Sequence, residues 1–135
     1  MQFTLESLKS VETSLIKILK EDLPIRISYQ LSKLYDVIEK EMARVESLRQ
    51  NLVKLYGKEE SDGSTKVTDE NLAEFNREFI ELMCIPVQVD SFESIQLDTI
   101  LAYSERLESL GKPPVNLSAI DIHQLKLVGI LTEGE

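Results

Sequence analysis

The sequence predicts a mainly α-helical protein built on a long antiparallel helical hairpin, with flanking helices and a small β-hairpin or short strands. Apolar residues recur at steps of three and four over residues 24–56, and a second helical pattern follows after a polar loop. The spacing changes to alternation only near residues 85–97. The chain has 135 residues, 42% of them hydrophobic, which is enough for a single domain over residues 1–135 with one core.

A first amphipathic helix is predicted over about residues 4–20. Thr4 can accept a hydrogen bond from a free N–H group of its opening turn. The helix must end before Pro24, because the residue that precedes a proline is disfavoured in the helical region. Its apolar face consists of Leu5, Leu8, Val11, Leu15, Ile18 and Leu19.

The second helix, predicted over about residues 24–56, has the strongest pattern in the sequence. Tyr35, Met42 and Tyr56 widen its apolar stripe on one side, which is typical of a helix that packs on two neighbours. It would be roughly 50 Å long, and Gly57 is placed to end it in a left-handed cap. Eight of its nine seam positions are apolar: Ile27, Leu31, Leu34, Ile38, Glu41, Val45, Leu48, Leu52 and Leu55.

Glu41 is the one charged residue in this seam, and two interpretations are open. A carboxylate buried there without a partner would cost several kcal/mol. In the first interpretation the hairpin extends beyond its core, and Glu41 reaches solvent or pairs with Arg44 or Arg77. In the second, Glu41 sets the register and the number of partner helices, as single polar seam residues do in coiled coils.

Residues 58–67 are predicted to form the exposed tip of the hairpin, with a turn at Asp62-Gly63. Thr68 can cap a third helix over about residues 68–84. The second and third helices would then run antiparallel as a helical hairpin. The apolar face of the third helix would consist of Leu72, Phe75, Phe79 and Leu82.

The last part of the chain is predicted to hold short strands and two further helices. The strands would form a small β-hairpin or remain separate short elements. Asp98 and Ser118 are candidate caps for the two helices. The predicted ranges are about residues 85–90 and 94–97 for the strands, and about residues 98–110 and 118–131 for the helices.

The net charge of −9 is unevenly distributed along the chain. Residues 24–58 carry seven bases and four acids, a net of +3, whereas residues 59–135 carry five bases and sixteen acids, a net of −11. The simpler interpretation is that the acidic part folds back on the basic helix and pairs with it. The alternatives are head-to-tail assembly of several copies, or an acidic face that meets a basic partner.

The residues that could support chemistry are few, and no enzyme activity, catalytic residue, metal or cofactor is expected. His123 is the only histidine, and no second histidine exists to share a metal with it. Cys84 is the only cysteine and follows an apolar stretch with no basic neighbour, so a buried packing role is expected. The acidic balance makes nucleic acid an improbable partner. No apolar run is long enough for a membrane span.

Several segments resemble small uncharacterised helical proteins encoded by tailed phages and prophages. The similarity follows the order of residues 1–98, and residues 99–114 look like an additional helix. It implies a phage source and a helical hairpin with a small β addition, and it implies no activity. The segments that carry it are residues 23–34 (LPIRISYQLSKL), 54–59 (KLYGKE), 75–82 (FNREFIEL) and 86–90 (PVQVD).

The expected function is that of a non-enzymatic, phage-encoded protein-interaction module, located in the host cytoplasm or the virion. It would be a structural or assembly component that works as an oligomer, with further copies of itself or other phage structural proteins as partners. The alternative is an acidic inhibitor that binds a host or antiviral-defence protein. The distal half of the second helix has more apolar surface than one neighbour covers, so the expected interaction residues are Glu41, Val45, Leu48, Leu52, Leu55 and Tyr56.

Overall fold

A computed structural model describes residues 1–90 and 92–133, and this part of the chain is mainly helical. Its five helices are α1 (Leu5–Leu19), α2 (Ile25–Tyr56), α3 (Leu72–Met83), α4 (Leu97–Ser109) and α5 (Ala119–Leu127). Its short strands are β1 (Gln2–Thr4), β2 (Gly57–Glu59), β3 (Thr65–Val67), β4 (Pro86–Gln88), β5 (Ile95–Gln96) and β6 (Leu131–Thr132).

Helix α1 packs antiparallel against the first half of α2 and forms most of the core with it. The Thr4 hydroxyl caps α1 by accepting a hydrogen bond from the backbone N–H of Ser7 at 3.1 Å, as predicted. Phe79, on the predicted apolar face of the third helix, is only partly buried. The residues of the predicted apolar faces of α1 and α2 that are buried include Leu8, Leu15, Ile27, Leu31, Leu34 and Ile38.

Helix α3 returns along the second half of α2, so the predicted helical hairpin is present. The backbone N–H of Leu5 donates to the carbonyl of Ile85 at 3.1 Å, and β1 pairs antiparallel with β4. These contacts place the end of α3 at the start of α1. The 15 residues of α1 and the 12 residues of α3 therefore follow one another along the 32 residues of α2. This succession explains why α2 is longer than one neighbour requires.

The connection between α2 and α3 is a small antiparallel ribbon of β2 and β3, closed by the predicted Asp62-Gly63 turn. The predicted left-handed cap at Gly57 is wrong, because its φ of −100° is extended backbone. Glycine is required there for a different reason. A Cβ would overlap the carbonyl oxygen of Val53 and approach Cγ2 of Thr65 to 2.7 Å.

We expect Gly57→Ala to lower the free energy of unfolding by about 1–3 kcal/mol, because the added methyl group overpacks the junction of α2 with the ribbon. Urea unfolding followed by circular dichroism measures this change. Ala73→Gly, at an exposed helix position in α3, is a matched control with a cost of roughly 1 kcal/mol or less. A Gly57→Ala variant as stable as the parent chain would contradict the close approach.

The two predicted strands near residues 85–97 do not form a β-hairpin with each other. Strand β4 pairs with β1, and β5 pairs in parallel with β6 near the end of the chain. The predicted fifth helix is also too long, since α5 ends at Leu127 and Gly129 adopts a φ of +83°. That left-handed residue turns the chain away from the helix axis and allows Leu131 to pair with Ile95.

Of the four predicted N-terminal caps, Thr4 and Ser118 are present, and Thr68 and Asp98 are wrong. Helix α3 begins at Leu72 after a turn, so Thr68 does not cap it. Helix α4 begins at Leu97, which places Asp98 inside the first turn and not at the cap. Ser118 caps α5 as predicted, by accepting from the backbone N–H of Asp121.

Candidate protein-interaction surface

The seam of α2 consists of two rows of residues, each with a seven-residue spacing. We call the first the covered row, which consists of Leu31, Ile38, Val45 and Leu52. We call the second the open row. It continues the line of the buried Ile27 toward the tip and consists of Leu34, Glu41, Leu48 and Leu55. Because each row lies along one line of the helix surface, a change of exposure within a row shows where a neighbouring element stops covering it.

The open row becomes progressively more exposed toward the tip of the hairpin. Leu34 is 0% exposed, the Glu41 side chain 19%, Leu48 40% and Leu55 68%. Over the same length the covered row stays buried as far as Val45, which is 5% exposed. Both rows are therefore covered along the first half of α2, where α1 packs. Beyond Val45, next to α3, Leu52 of the covered row is partly buried and Leu48 and Leu55 of the open row are accessible.

A groove with a volume of about 470 Å³ lies along this open side, between α2 and the end of α3. Leucine and isoleucine side chains form its floor, and two carboxylates stand on its α3 wall. The groove is lined by Leu48, Asn51 and Leu52 of α2 and by Glu78, Glu81, Leu82 and Ile85 from α3 and the residues after it. A concave, mainly apolar groove with a few polar groups on its wall is typical of binding sites.

Glu41 is neither buried without a partner nor joined to α3. Its carboxylate accepts a hydrogen bond from Nη1 of Arg44 at 3.2 Å, one helical turn away. Arg77, the other predicted partner, is held within α3 by Glu74 at 2.7 Å and Glu81 at 2.9 Å. The charged seam position is thus paired at the point where the open row starts to become accessible to solvent.

Tyr56 and Glu78 join α2 to α3 beside the groove. The hydrogen bond between the Tyr56 hydroxyl and the Glu78 carboxylate, together with partial burial, raises the pKa of Tyr56. The side chain of Asn71 donates to the carbonyl oxygen of Tyr56 at 3.2 Å. Within the described part of the chain, Oε2 of Glu78 and Oγ1 of Thr68 are buried without a hydrogen-bond partner. The contacts of Tyr56 with Glu78 and Asn71 thus join α2 to the α3 side of the hairpin beside the groove.

Charged side chains of the hairpin pair within their own helices. Arg49 binds Glu46 at 2.8 Å, and hydrogen bonds from Arg49 and Gln50 lower the pKa of Glu46 to about 2. Among residues 1–90 and 92–133, no ion pair joins the basic segment of residues 24–58 to the acidic remainder. The predicted pairing between these two segments is therefore wrong, because acids three and four residues away on the same helix are nearer.

The structure separates the six predicted interaction residues into three groups. Leu48 and Leu55 are exposed, whereas Glu41, Leu52 and Tyr56 are partly buried. Val45 is buried in the covered row and belongs to the core. Sequence reasoning missed Leu82 as a groove residue, because it was assigned to the internal face of α3, and missed Ile85, because it was assigned to a strand.

The cysteine and the histidine, the two residue types considered for catalysis or metal binding, are both exposed in this structure. Cys84 is exposed at the end of α3, so its predicted burial is wrong. His123 is exposed on α5. In the described ranges no three His, Cys, Asp or Glu side chains are grouped as metal ligands, and no helix has the length and apolar character of a membrane span.

Comparisons of the chain with protein-family models, with curated proteins and with solved structures find no match.

Proposed function

We propose that this chain is a non-enzymatic protein-interaction module that works as an oligomer through the open side of its α2–α3 hairpin. The observation that carries the proposal is the rise in exposure along the open row, from a fully buried Leu34 to a largely exposed Leu55. Apolar side chains in a regular helical row stabilise a protein only when another surface removes them from water, and this burial contributes roughly 25 cal/mol per Å² of favourable free energy.

The geometry of the hairpin supports a helical partner. Helix α3 covers about 18 Å of α2 with its 12 residues. Leu48, Leu52 and Leu82 then line a groove that is open along its length. An amphipathic helix places residues at i, i+3 and i+4 into such a groove.

We further propose that the module is a structural or assembly component of a tailed phage, acting in the host cytoplasm or in the virion. The support for this source is the resemblance of residues 23–34, 54–59 and 75–90 to proteins of phages and prophages. Assembly components of this kind have other phage structural proteins as partners in addition to their own copies.

The test of the proposed function is the effect of Leu48→Asp on the molar mass, measured by light scattering during size-exclusion chromatography. We expect the parent chain to be oligomeric at tens of micromolar and Leu48→Asp to be a 15.4 kDa monomer with an unchanged helical spectrum. A carboxylate at the centre of an apolar interface loses its hydration without a partner.

Leu101→Asp is the matched control, since Leu101 is 52% exposed on α4, outside the groove. It should leave the mass of the oligomer unchanged. A parent chain that is monomeric at tens of micromolar, with a mass that Leu48→Asp does not alter, would refute the proposal.

A second candidate function is inhibition of a basic host or antiviral-defence protein. The observation that favours it is a set of exposed acids in the segment of residues 59–135. Asp69, Glu70 and Asp98 are exposed and have no ion pair among the described residues. This candidate predicts a monomer that binds one basic protein at low salt and releases it at high salt, because screening weakens charge pairing. Binding that salt does not affect would exclude it.

A further inference from the structure

We infer that the occupant of the groove is a second copy of this chain, in a two-fold dimer whose α2 helices run parallel. This inference rests on the proposed function and names its partner. The charges of the two helices beside the groove, and the symmetry that brings opposite charges together, support it.

The two helices that form the groove have net charges of opposite sign. On one side α3 carries Glu74, Glu78 and Glu81 against the single base Arg77, a net of −2 for the helix. On the other side α2 has a net of +2, from six bases and four acids over Ile25–Tyr56.

The bases of α2 nearest the groove lie on the side of the open row away from α3. Arg44 lies one turn before Leu48, and Lys40 one turn before Arg44, since residues four apart are neighbours on a helix surface. Both side chains are exposed. Arg44 pairs with Glu41 of its own helix at 3.2 Å, whereas Lys40 has no ion pair in the described part of the chain. The apolar floor is therefore bordered by a basic edge on α2 and an acidic edge on α3.

Symmetry then selects one arrangement of two copies. If the two-fold axis runs along α2, the basic edge of each copy faces the acidic edge of the other. If the axis crosses α2 at a right angle, the helices run antiparallel and basic edges face basic edges. Because like charges in contact are destabilising, the charges favour the parallel dimer.

The same arrangement also satisfies the packing of the helices. Each α2 then lies next to its own α3 and to the α3 of the second copy, and both neighbours run antiparallel to it. Four helices with antiparallel neighbours form a common bundle arrangement, with the apolar rows in its centre. Leu48 and Leu55 of both copies would meet along this centre. The two hairpin tips would lie at one end of the bundle and the two hairpin bases at the other end.

Charge reversal across the groove tests the pairing. Arg44→Glu and Glu81→Arg are each expected to weaken dimerisation roughly tenfold, and the double variant is expected to recover most of the loss. Arg106→Glu on α4 makes the same charge change outside the groove and should have no effect. Single variants that weaken the dimer without recovery in the double variant would overturn the pairing of these edges.

The distance between the two hairpin tips distinguishes the parallel dimer from the antiparallel dimer. In a Cys84→Ser background, a spin label at Ser61→Cys reports the tip-to-tip distance by pulsed dipolar spectroscopy. The parallel dimer predicts about 30 Å or less, whereas an antiparallel dimer about Leu48 predicts roughly 50 Å or more. A dimer with the long distance would overturn the parallel arrangement and leave the proposed function standing, whereas a monomer would overturn both.

Discussion

Leu34→Ala is expected to destabilise the fold by about 2–5 kcal/mol, whereas Leu48→Ala should cost less than about 1 kcal/mol in the monomer. The two leucines occupy the same row of the same helix, 14 residues apart. Leu34 is completely buried, so its truncation leaves a cavity in the core. Leu48 is 40% exposed, so its truncation removes contacts from a groove that solvent already reaches.

Urea unfolding at protein concentrations where the chain is monomeric measures both costs. The size of the difference between two identical substitutions is the informative quantity, because helix propensity contributes equally to both. Similar costs for Leu34→Ala and Leu48→Ala would show that the row is equally covered along its length, contrary to the open groove.

Asp121→Ala is expected to have the second large effect, a loss of about 2–4 kcal/mol of folding free energy. Asp121 is buried on α5, where Oδ1 accepts from the hydroxyl of Ser14 at 2.8 Å and Oδ2 accepts from the hydroxyl of Ser118 at 2.6 Å. Its Oδ1 also lies 3.5 Å from Nζ of Lys17. Truncation leaves the buried Ser14 hydroxyl without its acceptor. It also removes the hydrogen bond between Asp121 of α5 and Ser14 of α1.

The same carboxylate makes stability depend on pH. Hydrogen bonds from Ser118 and Ser14, with the charge of Lys17 adding to them, lower the pKa of Asp121 below its ordinary value of 3.8. Folding therefore favours the ionised form, and this stabilisation is complete above the unfolded pKa and disappears as pH falls through the lower folded pKa. The stability advantage of the parent chain over Asp121→Asn should be greatest near neutral pH and shrink below about pH 4.

Thermal unfolding of both chains from about pH 7 to pH 3 measures that advantage. Glu133→Gln is a suitable control, because Glu133 is an exposed acid whose pKa is also lowered, by Lys126. Its effect should be small at every pH. An advantage over Asp121→Asn that stays constant with pH would show that the interaction does not depend on the charge of Asp121.

Local sequence signals predicted the parts of the fold that depend on helical periodicity. The apolar steps of α1 and α2, the Thr4 and Ser118 caps and the Asp62-Gly63 turn each depend on residues within a few positions of one another. The strand pairings could not be predicted in this way. From the sequence, strand β4 could pair with any of several short strands. It pairs with β1 because of where α3 ends in space.

The candidate surface was predictable in location and not in shape. The number of apolar residues between Val45 and Tyr56 indicated that one neighbour would not cover them all. Which row stays open depends on the side from which α3 approaches, and this is set by its junction with α1 at Ile85. The pattern of residues in α2 contains no information about that junction, so buried Val45 and exposed Leu48 looked equivalent.

Sedimentation equilibrium of the unmodified chain measures whether the open side of the hairpin binds a second copy. We expect a weight-average mass that rises from 15.4 kDa toward twice that value as the concentration reaches tens of micromolar. The rise should persist at moderate salt, because the centre of the interface is apolar. A mass that stays at 15.4 kDa over the whole range would contradict it.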